Sequence, residues 1–302
     1  MNPSSPAHDA GALRDAHRQS ASRVLVIGAA GNTGRSIVHR LTELGVPVRA
    51  ATRGGKMTDN SAEPVRFDWA DEASHDTALA GVDRMYLIAP GLVDDPSPLM
   101  LPFIERALKR GVRRAVLLSA SAIPEGAAGL GAVHHALRER MPEWTVLQPS
   151  WFMQNFAAPR HHHAASIQRE GRLVTATGQG RVGFVDARDI AEVAVRALTD
   201  ARAHDTAHVI TGPQALGYDD IAGILAQVTG RPVRHQSVSP DEAQRHMEAS
   251  GIPAPYARFL AQLEETIRDG AEDRVTQTVS RVTGREPRTF EAFAREHAAH
   301  WR

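Results

Sequence analysis

From residue 23 onward, short apolar runs alternate with stretches whose apolar residues recur at helical spacing. Val24-Leu25-Val26-Ile27 is uninterrupted, which suits a strand buried on both faces. Beyond a glycine-rich segment, Ile37, Val38, Leu41 and Leu44 fall on one helical face, Gly45 stops that helix, and residues 46–51 make the next strand. The alternation predicts further strands at 65–67, 82–88, 112–118 and 144–147, with helices at 72–79, 98–109 and 130–140 between them. Strands that alternate with crossover helices build a parallel sheet, so the predicted fold class is α/β, a doubly wound Rossmann-type sheet.

After Pro149 the pattern loosens. Helices are expected at 161–169, 186–198, 218–228, 241–250, 256–269 and 289–299, with extended pieces at 173–174, 182–185, 208–210 and 232–237. The division this suggests is a disordered tail at 1–22 and a dinucleotide-binding core at 23–156. Residues 157–302 would then form a smaller, mainly helical substrate region or lid, some of whose elements return to the sheet.

Composition narrows the function classes. Lys plus Arg equals Asp plus Glu, at 35 each, so no net field favours nucleic acid or an anionic membrane as a partner. The absence of cysteine removes disulfides, thiolate nucleophiles and thiolate-held metals. No stretch approaches the roughly 20 apolar residues that cross a bilayer, and the first 20 residues lack the apolar centre of a signal peptide. A cytoplasmic protein with a small-molecule substrate is the expectation.

The strongest motif is Gly28-Ala29-Ala30-Gly31-Asn32-Thr33-Gly34, set between a buried strand and an amphipathic helix. Gly28 permits a tight turn, Gly31 lets backbone N–H groups approach a pyrophosphate, and Gly34 allows close helix–strand contact. The end of the second strand should decide the ribose. An NAD site usually has an acid about 20 residues past the loop, to accept from the 2′-hydroxyl. Here that region reads Thr52-Arg53-Gly54-Gly55-Lys56 and carries none. Arg53, helped by Thr52 and Lys56, suits a 2′-phosphate, so NADP(H) is expected over NAD(H). Asp68 could accept from the adenine amino group, with Phe67 or Trp69 beside the ring. Ala89 and Pro90, and Ser119 and Ala120, end the fourth and fifth strands, where small residues either leave room for ribose and nicotinamide or simply turn the chain.

The catalytic centre is defined by what it lacks. The helix after the fifth strand has Gly131-Ala132-Val133-His134-His135-Ala136-Leu137-Arg138 where short-chain reductases commonly place Tyr-x-x-x-Lys. A standard ketone reductase is therefore disfavoured, whereas an iminium needs no acid to receive a hydride. His134 is a weak catalytic candidate and otherwise a bystander. His161-His162-His163 is expected to be a solvated loop or helix start, with no metal. Trp151, Phe152 and Phe156 could line an aromatic substrate pocket with Asn155 orienting the substrate, or pack between sheet and lid. Asp186 is expected to cap the helix that follows it.

These residues together resemble the NmrA-like, atypical short-chain dehydrogenase/reductase family. Within it the likeness is to proteins related to the ergot alkaloid reductases of the festuclavine and agroclavine dehydrogenase type. It is carried by the glycine loop, Thr52-Arg53, Leu117-Leu118-Ser119-Ala120-Ser121, the block from Trp144 to Phe156, Val185-Asp186-Ala187-Arg188-Asp189-Ile190 and Arg288-Thr289-Phe290-Glu291-Ala292-Phe293. The resemblance implies that Asn32 and Thr33 join the glycines on the pyrophosphate and that Pro149 to Asn155 sits near cofactor and substrate. It implies an NADPH-dependent reductase of an iminium or similarly activated bulky molecule. The alternatives it leaves are a quinone-type reductase, or a non-catalytic NADP(H) sensor that regulates a protein partner.

Overall fold

The computed structural model describes residues 22–56, 62–93, 95–159 and 161–301. Of the expected tail, residues 1–21 lie outside these. The strands are β1 (Val24–Ile27), β2 (Val48–Thr52), β3 (Glu63–Arg66), β4 (Arg84–Ile88), β5 (Arg114–Leu118), β6 (Glu143–Pro149), β7 (Arg172–Thr175), β8 (Arg181–Val182), β9 (Thr206–Ile210), β10 (Leu216–Gly217) and β11 (Arg234–Ser237). The helices are α1 (Asn32–Glu43), α2 (Ala73–Leu79), α3 (Ser97–Lys109), α4 (Leu130–Arg140), α5 (His162–Glu170), α6 (Ala187–Thr199), α7 (Tyr218–Thr229), α8 (Pro240–Ala249), α9 (Ala254–Arg268), α10 (Thr278–Thr283) and α11 (Phe290–Glu296).

All four residues of β1 are buried because both faces of the sheet are covered. Val24 and Val26 join Ile37, Val38 and Leu41 of α1 and Ile190, Ala194 and Leu198 of α6. Leu25 and Ile27 point the other way, toward Phe103 and Ile104 of α3 and Val133 and Leu137 of α4. The main sheet has seven parallel strands in the order β3-β2-β1-β4-β5-β6-β9. The chain winds outward from β1 to β3, then crosses back to β4 on the other side of β1. That reversal opens a crevice at the carboxyl ends of β1 and β4, where sheets of this kind hold a ligand.

The sheet's two edges are finished differently. At β3, Pro64 has no N–H to offer an incoming strand. At β9, Thr276 donates its hydroxyl to the Val209 carbonyl at 2.9 Å and its N–H goes to Thr211 Oγ1 at 2.8 Å.

The remaining elements pack around a second, aromatic core. Phe156, Phe184, Tyr218 and Phe290 meet edge to face with centroids 5.2 to 6.0 Å apart. The indole N–H of Trp301 closes this core by donating to the Phe156 carbonyl at 2.6 Å. Two small sheets, β7 with β11 and β8 with β10, border it. The short helix α10 and the pair β8–β10 have too few residues to show a period in the sequence.

Candidate functional site

The glycine loop is a cradle built by close backbone approach. Gly28 has φ +73°, and a Cβ there would lie 2.7 Å from Ile88 Cγ2. A Cβ on Gly34 would collide with the Gly28 carbonyl, so α1 starts tight against the turn. Gly31 donates its N–H to Gly28 O at 2.8 Å and stands at the N-cap of α1. No side chain caps that helix and its first turn has no acid, so its first N–H groups and positive dipole end remain available to a pyrophosphate. Asn32 is exposed there. The Thr33 side chain is buried and shares a hydrogen bond with Tyr86 Oη at 2.8 Å, so only its backbone faces a phosphate. Arg35, which the sequence reading passed over, extends over the loop and donates to the Ala30 carbonyl at 3.3 Å. The signal was a cation directly after the third glycine.

At the end of β2 the chain turns sharply. Thr52 Oγ1 accepts from the Lys56 N–H at 3.2 Å and donates to the Lys56 carbonyl at 3.1 Å, while Gly55 takes φ +61°. Arg53 and Lys56 are both exposed on this rigid turn, and no carboxylate pairs with either among the described residues.

The adenine assignment needs correction. Phe67 and Trp69 are both buried, in a cluster with His75 and Phe103 whose ring centroids lie 4.9 to 5.3 Å apart. Both rings are packed into the core under β3 and α3, which leaves them little surface for an adenine. Asp68 stays half-buried, and its Oδ1 accepts from the Ala70 N–H at 3.0 Å.

Past Ile88 the crevice widens into a cleft of about 610 Å³. It gathers Ala89, Pro90, Ser119, Ala120, Pro149, Trp151, Phe152 and Asn155 at one place. The Ser119 hydroxyl is buried there with no hydrogen-bond partner, an unmet polar group that a ribose or amide would satisfy. Together with the glycine cradle, it makes the residues present fit a dinucleotide whose reactive end lies in the cleft. Phe156 is corrected: it is fully buried in the aromatic core, not in the cleft. The reason is the 3₁₀ turn Met153–Phe156, whose threefold period puts Met153 and Phe156 inside.

His134 is corrected as well. It lies under Trp144, with ring centroids 5.8 Å apart, and does not line the cleft. Burial lowers its pKa and keeps the ring neutral. What the sequence did not reveal is a wall from the far half of the chain. Tyr256, Phe259, Leu260 and Leu263 form one stripe of α9 along the cleft. Ser121, also in the lining, donates its hydroxyl to Glu272 Oε2 at 2.8 Å.

The histidine run is corrected in a third way. Helix α5 does begin at His162, but the residues are not solvated: His162 and His163 are buried. His161 serves as N-cap, its Nδ1 accepting from the His163 N–H at 3.3 Å. Burial lowers the pKa of His161 to about 4 and of His162 to about 3, and holds that of His163 well below the ordinary value.

Asp186 fixes the segment that carries Trp151 and Asn155. It caps α6 by accepting from the Arg188 N–H at 2.8 Å, and it accepts from Gln154 Nε2 at 3.1 Å and from the Arg188 guanidinium at 2.8 Å. Burial pushes its pKa up, but these bonds to the anion outweigh burial and hold it below the usual value. Its contribution is therefore fully present above the ordinary aspartate pKa and is lost as pH falls through the lowered one. Asp186→Asn is expected to destabilise by about 2–3 kcal/mol near neutral pH. The loss should shrink toward about pH 3. Urea denaturation at both pH values checks this, and an unchanged difference would contradict the charge's role.

Comparison with known proteins identifies the family and the fold. An NAD(P)H-binding family model matches residues 28–201, and an NmrA-like family model matches residues 132–294. The chain is 50% identical over 279 residues to the uncharacterized oxidoreductase YesF of Bacillus subtilis, covering 92% of this chain and 96% of that one. It is 35% identical over 286 residues to the agroclavine dehydrogenase of Claviceps fusiformis, covering 92% and 98%. An NADPH-dependent quinone oxidoreductase of Escherichia coli, solved with NADPH, superposes with a TM-score of 0.77 at 21% identity, covering 90% of this chain and 99% of that one.

Proposed function

The chain belongs to the NmrA-like family of NAD(P)H-binding proteins and is an oxidoreductase, and from that premise we propose that it is an NADPH-dependent reductase of iminium or similarly activated, bulky, partly aromatic small molecules. The observation that carries this is the chemistry of the cleft wall. Among the described residues that line it, none is charged and none is histidine.

Reducing a neutral ketone makes an oxyanion, which wants an acid within hydrogen-bond reach. An iminium asks for less. Hydride forms the new C–H bond, the C=N π pair moves onto nitrogen, and a neutral amine results without any proton. When bound, the cofactor supplies that hydride. The wall's phenol, Tyr256, is made a weaker acid by burial. The chain's two lysines, Lys56 and Lys109, stand outside the lining, so no ammonium offsets that effect. The Ser121 hydroxyl donates its hydrogen bond to Glu272, which leaves its oxygen as an acceptor and commits its one donor away from a substrate oxyanion. Trp151, Phe152 and Phe259 supply the apolar surface that orients a ring system and excludes water. The preference for NADPH rests on Arg53 and Lys56 at the end of β2, with no carboxylate paired to either among the described residues.

Steady-state turnover of an N-alkylated cyclic iminium with 4-deuterated NADPH is the test. Deuterium should arrive on the iminium carbon, and Tyr256→Phe should leave kcat within about threefold, far from the 10²–10⁴-fold loss of a missing general acid. Reduction of quinones with no iminium turnover, or collapse of kcat in Tyr256→Phe, would overturn the proposal. Cofactor binding without turnover of any acceptor would move the function to sensing.

A further inference from the structure

Behind the cleft lies a second cavity of about 360 Å³, bordered by Trp151, Asn155, Tyr256 and Leu260 in common with the first. Its floor holds a cluster that hydride transfer does not use. One ring nitrogen each of His162 and His163 and a carboxylate oxygen of Glu264 lie within 4.8 Å of one another, and all three residues are buried. Nε2 of His162, Nε2 of His163 and Oε1 of Glu264 are buried without hydrogen-bond partners. Buried polar atoms are seldom left unpaired, and each costs about 1–3 kcal/mol when it is. Three residues grouped this closely, each with an unpartnered buried polar atom, form a donor set that a cation would satisfy.

We propose that His162, His163 and Glu264 bind a divalent transition-metal ion of the zinc class, with a further coordination position open toward this cavity. The donor set selects the ion. Two imidazoles and one carboxylate match the sites of zinc and its first-row neighbours, whereas magnesium and calcium take oxygen ligands almost alone. Glu264 brings the carboxylate, whose Oε1 is buried without a hydrogen-bond partner. Its other oxygen is already anchored, accepting from the Ala176 N–H at 2.7 Å, which is the outer support a metal ligand needs.

Adjacent helical residues ordinarily diverge. Here the rings of His162 and His163, on the first turn of α5, lie with centroids 4.0 Å apart. The third donor comes from α9, across the cavity. Metal bonds of about 2.0–2.2 Å place donors roughly 3.3 Å apart, so binding draws the three inward by side-chain rotation. The ion would tie α5 to the helix that walls the cleft. Water or a Lewis-basic atom of a small molecule would take the open position.

The site stands apart from the cofactor reading, and so does its test. Chelator-treated full-length protein is titrated with Co²⁺, followed by its visible d–d bands, and Zn²⁺ is then used to displace it. One ion per chain is expected, and X-ray absorption of the zinc-loaded protein should show two imidazoles. Glu264→Gln and His162→Ala should each weaken binding by at least about tenfold while NADPH binding stays unchanged. Absence of stoichiometric binding would overturn the proposal and leave a proton shared between Glu264 and an imidazole. Undiminished binding in both variants would also overturn it. Should a variant fail to fold, fewer than two imidazoles around the wild-type zinc does the same.

Discussion

Replacing Arg53 by alanine is expected to raise the dissociation constant for NADPH by about 10–100-fold while that for NADH moves by less than about threefold. A charge-assisted hydrogen bond to an anion is worth about 1.5–3 kcal/mol, which sets the scale. The position makes the effect selective. Arg53 is exposed at the end of β2, on a turn pinned by the hydrogen bonds between Thr52 and Lys56. No carboxylate pairs with it among the described residues, so its fork is not committed elsewhere. Parallel fluorescence titrations with the two cofactors check this. Equal weakening of both would refute the assignment and shift the ribose contact to Arg35 or Lys56. Because the interaction is between exposed charges, the NADPH preference should also narrow as salt is raised.

Gly34→Ala is expected to weaken both cofactors by more than about 100-fold and to cost about 1–3 kcal/mol of stability. The added Cβ would meet the Gly28 carbonyl and the Ala29 Cα, which are backbone atoms that cannot swing aside. The turn would have to open, and the N–H groups aimed at the pyrophosphate would open with it. Gly45→Ala is the matched control. It has φ +71° but nothing within 4 Å, so it should lose about 1 kcal/mol of stability with cofactor binding intact. Calorimetric titration and thermal unfolding of both variants separate the two effects. Wild-type affinity in a folded Gly34→Ala protein would mean that the loop does not hold the phosphates.

The sheet and its phosphate loop were legible because their signals are local. A buried strand, three spaced glycines and a helical stripe lie within some twenty residues of sequence, and each constrains the next. The cleft was only half legible. Ala89, Ser119 and Pro149 follow from strand ends, but Tyr256, Leu260 and Leu263 arrive from a helix more than a hundred residues away. Periodicity identified that helix without saying what its stripe would face. The same blindness hid Glu264 from the histidines it meets. Aromatic residues misled in a different way: Trp151 and Phe152 line the cleft, yet Phe156, in the same run, is turned inward by a 3₁₀ period. Trp69 looked like a partner for adenine because nothing local revealed Phe103 waiting beneath it.

The two finished edges of the main sheet bear on how the protein behaves when crowded. A long parallel sheet folds slowly and, while its outer strands are unpaired, is a template on which other chains can polymerise. Pro64 withholds a donor at one margin, and at the other the Thr276 hydroxyl occupies the Val209 carbonyl. Copies of the chain are thereby discouraged from continuing one another's sheet.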